Sequence, residues 1–272
     1  MTTTHHDLRS FWLAEYNRPF SGWNFSYLDG RRVTIGPSTT WDYASAVVAA
    51  LEDAQSMLDM DTGGGEFVAS LPFRPPLACA TEGYAPNVQY ARQRLEPLGV
   101  QVFDVSGDAP LPFGDGQFDV ITNRHGAYEP HEVWRILKPG GLFITQQVGS
   151  QANRRLHELL GHTPPRRATN NAEARSGAWN LAMAVNELEA VGFRIPEQRE
   201  EFPITRYFDV GAIVYYLKAI PWEIPGFSVD AYFPKLVAIH EHIQAEGYID
   251  ILFHQFFIRA LRTPADEVAK LR

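Results

Sequence analysis

The stretch Leu58-Asp59-Met60-Asp61-Thr62-Gly63-Gly64-Gly65-Glu66 constrains this chain more than any other. Ser56–Met60 is an apolar run of the length of a buried strand. It runs directly into a turn carrying three consecutive glycines, and a helical pattern is expected to open after it. Glycine lets backbone turn tightly and lets a ligand approach without a Cβ in the way. Such a turn is in itself equally compatible with a plain loop, so the surrounding pattern has to decide.

That pattern is an alternation. Tyr43, Val47, Ala50, Leu51 and Ala54 fall at helical spacing before the first strand. Leu77–Thr81 is a second strand, ending at Glu82. Val88, Ala91, Leu95 and Leu98 share one helical face, which Gly99 closes. Val100–Val105 and Phe118–Thr122 read as the third and fourth strands. Glu132–Leu137 is a short helix, stopped at Lys138-Pro139-Gly140-Gly141, and Leu142–Val148 is a fifth strand. Strands alternating with helices predict a mostly parallel sheet covered on both faces. Beyond Val148 the rhythm breaks. Residues 150–178 read as an insertion, Leu181–Val191 as a helix, and Phe193 to about Tyr207 as the place of a sixth strand. Asp209–Ile220 and Phe233–Ala245 read as helices, and Ile249–Leu261 as one long final strand.

One domain over 1–272 is expected: core at 42–149, 179–206 and 249–262, insertions at 150–178 and 207–248, and an aromatic cap or lid at 1–41. The net charge of −8 argues against a nucleic-acid partner, which needs a basic footprint. Cys79 is the only cysteine, which removes intrachain disulfides and cysteine-rich zinc sites. No histidine pattern with spaced carboxylates suggests a metal site. The polar start and the lack of any run of about 18 apolar residues predict a soluble, cytoplasmic chain with no membrane partner.

In an open α/β sheet, ligands bind beyond the carboxyl ends of the strands. Glu82 stands there, at the exit of the second strand and 23 positions after Asp59. An acid at about that distance suits the two hydroxyls of a ribose. A dinucleotide would want a third glycine where Val68 stands, and would need positive potential where Glu66 opens the helix. A nucleoside cofactor without phosphate fits better.

With Leu58–Phe67, the series Leu111-Pro112-Phe113-Gly114-Asp115-Gly116-Gln117-Phe118-Asp119-Val120-Ile121 and Glu132-Val133-Trp134-Arg135-Ile136-Leu137-Lys138-Pro139-Gly140-Gly141 resembles the class I S-adenosylmethionine-dependent methyltransferases, in the group related to small-molecule and quinone methyltransferases. The resemblance covers residues 42 to about 148. It implies a Rossmann-like, seven-stranded sheet and S-adenosylmethionine as cofactor, with S-adenosylhomocysteine as product. It also implies roles. Asp59 would support the methionine end of the cofactor, Gly63 and Gly65 would admit the backbone approach, and Glu82 would hold the ribose. Asp108-Ala109, or alternatively Asp104, would face the adenine, and Asn123 would touch the methionine portion. Asp61 stands where the family has glycine. Its carboxylate either crowds the cofactor or pairs with the cofactor's amino group.

A methyl acceptor that must lose a proton needs a base. His125, two positions past Asn123, is the candidate, with Tyr128, Glu129 and His131 nearby. Tyr207, Tyr215, Tyr216, Trp222 and His254 are candidates to line an acceptor pocket, or equally to be core. The expected acceptor is a small molecule. An RNA methyltransferase, an inactive S-adenosylmethionine-binding protein of the same fold and a dinucleotide oxidoreductase are the rivals.

Overall fold

The computed structural model describes residues 5–20, 25–36, 39–105, 110–162 and 179–263. In chain order its helices and strands are α1 (His5–Asn17), β1 (Arg32–Ile35), α2 (Tyr43–Leu51), β2 (Ser56–Met60), α3 (Glu66–Ser70), β3 (Leu77–Glu82), α4 (Ala85–Leu95), β4 (Val100–Asp104), β5 (Phe118–Arg124), α5 (Pro130–Ile136), β6 (Leu137–Val148), α6 (Arg154–Leu160), α7 (Leu181–Val191), β7 (Phe193–Glu201), β8 (Ile204–Tyr207), α8 (Val210–Ala219), α9 (Val229–Glu246), β9 (Ile249–Leu252) and β10 (Gln255–Arg262). They divide into two compact units. One is drawn from Met1–Thr39, Ser150–Arg166 and Phe202–His254, the other from Thr40–Gly149, Arg167–Glu201 and Gln255–Arg272.

The second unit is the expected α/β core. Its seven strands lie in the order β4-β3-β2-β5-β6-β10-β7. Strands β2 to β6 pair in parallel, and β10 runs antiparallel to both β6 and β7. Successive side chains on a strand point to opposite faces, and here both faces are apolar. Leu58, Ile121, Phe143 and Phe256 pack with Val133, Ile136, Ala184 and Leu188 from α5 and α7. Their neighbours Met57, Val120, Ile144 and Phe257 pack on the other face with Val47 and Leu51 of α2, Val68 of α3 and Leu95 of α4. A sheet buried on both faces reads as continuous apolar runs rather than alternation, which is why its strands are legible from sequence.

Four local readings change. Leu98 is exposed, because a 3₁₀ turn over Glu96–Leu98 follows α4 and breaks the helical register before Gly99. β6 begins at Leu137, not at Leu142. Lys138-Pro139-Gly140-Gly141 is an irregularity inside the strand, across which the pairing jumps from Phe118↔Leu137 to Val120↔Leu142. Pro139 has no N–H for the ladder and Gly140 takes a φ of +80°, so the strand bulges instead of ending. The single strand expected over Phe193–Tyr207 is two strands, β7 and β8, in different sheets. The break falls at Phe202-Pro203, where proline cannot donate to a ladder. The final strand is likewise two, β9 and β10, separated by Phe253-His254.

The first unit holds a second sheet that the sequence pattern does not reveal, an antiparallel β1-β8-β9. Its core is built around α8, with Trp12 and Leu28 almost fully buried against it. The N-terminal aromatics described there are therefore structural parts of this unit. Tyr207, Tyr215, Tyr216 and His254 are buried in the same unit, while Trp222 is exposed. Arg31 ties the unit together. It forms ion pairs with buried Glu15 of α1 and with Asp209, whose side chain caps α8 through the Ala212 amide. Within 150–178, the stretch read as an irregular insertion, α6 buries Leu156, His157 and Leu160.

Candidate functional site

The carboxyl ends of the parallel strands bring the expected residues of the second unit together. Register places Asp59 beside Ala80 of β3 and Thr122 of β5, Met60 beside Asn123, and Glu82 beside Asp104. The turn after β2 is held by two backbone bonds, Thr62 N–H to Thr81 O and Gly65 N–H to Thr62 O, at 2.9 and 3.0 Å. Asp61, Gly63 and Gly65 all take positive φ there. Arg94 of α4 closes the outer side of this turn, bonded to the Gly64 carbonyl and paired with Glu66.

Asp59 is buried, and the Thr122 hydroxyl donates to its Oδ1 at 2.6 Å. It supports the turn from beneath. Glu82 is also buried. The Tyr84 amide donates to its Oε1 at 2.7 Å, and the Gly63 and Gly83 amides donate to the carboxylate as well. Asn123 is fully buried. Its Oδ1 accepts from Thr145 Oγ1 at 3.2 Å and from Gln147 Nε2 at 2.6 Å, and its Nδ2 donates to Met60 O at 3.4 Å. Its side chain thus welds β2, β5 and β6 together below the site. Asp104 is exposed at the end of β4, and Asp108 and Ala109 lie outside the described residues.

The turn after β5 approaches the turn after β2 very closely. A Cβ on Gly126 would stand 2.4 Å from Asp61 Oδ2 and 2.8 Å from Asn123 Nδ2. Only glycine fits. His125, also at positive φ, leads into this turn and is exposed. Trp41 Nε1 donates to Gln146 Oε1 at 2.9 Å, which fixes the orientation of that amide. Gln146 therefore turns its NH₂ toward His125 Nε2, 3.0 Å away. In this arrangement Nε2 accepts and the imidazole carries its proton on Nδ1. Trp41, which falls within the stretch read as the aromatic cap or lid, stands beside this site, and Thr122, Gly126, Gln146 and Gln147 belong to it although the sequence pattern does not single them out. The one available signal was the polar pair Gln146-Gln147 at the end of an otherwise apolar strand.

The electrostatics are one-sided. Burial, with the neighbouring Glu82 charge, pushes Asp59 up to about 6, against the Thr122 and Thr62 hydroxyls and the Arg124 charge. Burial and the Glu82 and Asp59 charges push Asp61 up to about 6 also, against the Ala127 amide that donates to it. Burial raises Glu82 in the same direction. Among the described residues, no lysine or arginine forms an ion pair with any of the three. A carboxyl whose folded-state pKa is raised stabilises the fold most below its ordinary value near 4. That contribution is lost as pH rises toward 6. Asp61→Asn removes the effect, so the variant is expected to gain stability over the wild type between pH 4 and 7, by about 1–2 kcal/mol at the upper end. Paired thermal melts across that range measure it; a stability difference that stays constant with pH would contradict it.

A parallel five-strand core, an antiparallel strand inserted before its edge and a glycine turn at the central strand's exit define a Rossmann-like α/β fold of the type found in methyltransferase structures. Residues 58–145 match the family model described as a methyltransferase domain. The chain is similar to the demethylmenaquinone methyltransferase of Deinococcus radiodurans, 29% identical over 124 residues, covering 42% of this chain and 52% of that one. The same-named protein of Roseiflexus sp. strain RS-1 is 30% identical over 142 residues, covering 48% and 57%. The chain spans about half the length of the curated relatives it matches. Among solved structures, a protein of Bacillus halodurans C-125 assigned as a methyltransferase shares the fold with a TM-score of 0.55 at 20% identity, over 82% of this chain and 99% of that one. The YcgJ protein of Bacillus subtilis does so with a TM-score of 0.53 at 16% identity, over 82% and 99%. Among the described residues no helix is long and apolar enough to cross a membrane, and no cluster of candidate metal ligands occurs.

Proposed function

We propose that this protein transfers a methyl group from S-adenosylmethionine to a small, partly apolar acceptor in the cytoplasm. The observation that carries the reading is the group of carboxylates around the glycine turn of a methyltransferase domain, none of them in an ion pair among the described residues. Such a site suits a ligand that combines ribose hydroxyls with positive charge. A carboxylate has about four acceptor positions, so Glu82 keeps capacity for the ribose hydroxyls after the backbone amides are served. Gly63 and Gly65 give the backbone approach, and Asp59 and Asn123 hold the surrounding turns from below. When bound, S-adenosylmethionine supplies an activated methyl group. The protein's part is then to align the acceptor and exclude water.

The acceptor class rests on the acidic chain and on the quinone named for the curated relatives. Where the acceptor carries a proton, His125 is the proposed base, and to act it must exchange the Gln146 amide for the acceptor's hydroxyl. His125→Gln is expected to lower turnover by about 10²-fold or more while leaving cofactor affinity within about twofold. Unchanged turnover with a quinol acceptor would remove His125 from the chemistry. The cofactor is tested first, by titration calorimetry of the pure protein with S-adenosylmethionine and by analysis for copurified S-adenosylhomocysteine. No heat with either, together with clear binding of a nicotinamide cofactor, would reverse the reading.

A further inference from the structure

Asp61 occupies a position that calls for glycine on two counts. The backbone is left-handed there, at φ +54°, and the family pattern has glycine. A non-glycine residue in this region carries a backbone cost, so the side chain is expected to do something in return. Its carboxylate is turned toward the β5 exit. It takes the Ala127 amide and fills the space that any Cβ on Gly126 would need. It is thereby fixed between the two turns, beside Asp59 and Glu82, and among the described residues it is in no ion pair with a lysine or arginine. A fixed anion with two anionic neighbours and no ion-pair partner of its own favours a ligand that brings positive charge.

Resting on the proposed function, we propose that Asp61 is a specificity-determining residue that makes this site prefer the cationic, sulfonium-bearing cofactor over its neutral demethylated product. In methyl transfer an acceptor lone pair forms the new bond to the methyl carbon as the S–CH₃ bond breaks and leaves its electron pair on sulfur. The sulfonium becomes a neutral thioether, and Asp61 loses a countercharge at that moment. The same carboxylate that draws the cofactor in therefore weakens the hold on the product. The alternative, in which the Asp61 side chain crowds the ligand, is disfavoured by its packing against Gly126 in the turn after β5.

The test is calorimetric, at pH 7.5, with S-adenosylmethionine and S-adenosylhomocysteine each titrated into the wild type, Asp61→Asn and Asp61→Gly. The asparagine keeps the shape and the acceptor for the Ala127 amide. The glycine suits the backbone and guards against loss of fold, which circular dichroism checks. The wild type is expected to bind S-adenosylmethionine about tenfold more tightly than S-adenosylhomocysteine. In both variants S-adenosylmethionine should weaken by about tenfold, with S-adenosylhomocysteine changed by no more than about threefold, so that the preference collapses. A preference that survives in both variants, or affinities that fall in parallel for the two ligands, overturns the assignment and leaves the cofactor reading standing. A wild type that binds neither ligand overturns the cofactor reading itself, and this inference with it.

Discussion

Gly65→Ala is expected to destabilise the second unit by about 2–5 kcal/mol, the sum of a backbone and a packing cost. Gly65 sits at φ +80°, where an L-residue loses roughly 1–2 kcal/mol. Its added Cβ would also stand 2.7 Å from Leu95 Cγ and 2.9 Å from Leu95 Cδ1. Leu95 is fully buried in one core cluster with Val68 and Val100, so it cannot swing away without disturbing the core between α3, α4 and the sheet. Overpacking of that kind costs about 1–3 kcal/mol more. Gly99→Ala is the control. Its φ is +81°, nearly the same, but no atom lies within 4 Å of its added Cβ. It should therefore lose only the backbone part. Chemical denaturation of the two variants measures the difference. Equal losses would mean that Leu95 yields, and that the third glycine of the turn is there for its backbone alone.

Glu82→Ala is expected to weaken S-adenosylmethionine binding by about 1.5–3 kcal/mol, or roughly tenfold to a hundredfold, through loss of charged hydrogen bonds to the ribose. From the sequence, stability should barely change, because a strand-end acid contributes little to a core. The structure alters that part of the expectation. Glu82 is buried and accepts from the Tyr84, Gly63 and Gly83 amides, so the alanine leaves several backbone donors without a partner. A fall in melting temperature is now expected alongside the fall in affinity. Glu82→Gln separates the two effects. It keeps an acceptor for the amides but not the charge, so it should recover most of the stability and only part of the affinity. An alanine variant that binds the cofactor normally would take Glu82 out of the ribose site.

The difference between these two expectations for Glu82 is typical of what was and was not legible. Ser56–Met60 and Leu181–Val191 are found in the structure at the residues expected, because each is set by local physics: a doubly buried strand is a continuous apolar run, and a helix between Asn180 and Gly192 carries its own caps. The places of Asp59, Glu82 and Asn123 follow from the same pattern, since a residue just past an apolar strand stands at the sheet's carboxyl edge. Their surroundings do not follow. Burial of Glu82 depends on amides from the turn after β2, and the close approach of Asp61 to Gly126 depends on two turns more than 60 residues apart.

The division of the chain behaves in the same way. Strand propensity is present throughout Phe193–Tyr207 and Ile249–Leu261, and propensity by itself suggests one strand in each. Which sheet each half joins is a matter of partners: β8 and β9 pair with each other, whereas β7 and β10 do so in another sheet. Those hydrogen bonds connect residues 42 to 69 positions apart, and no local pattern encodes them. The sequence by itself therefore determined the parallel core, the glycine turn and the acids along its edge, all features of short range. Only the tertiary structure decided that Asp59 and Glu82 are buried without an ion-pair partner among the described residues, that His125 faces a fixed Gln146 amide, and that a second sheet exists, because each of these is a matter of residues distant in the chain.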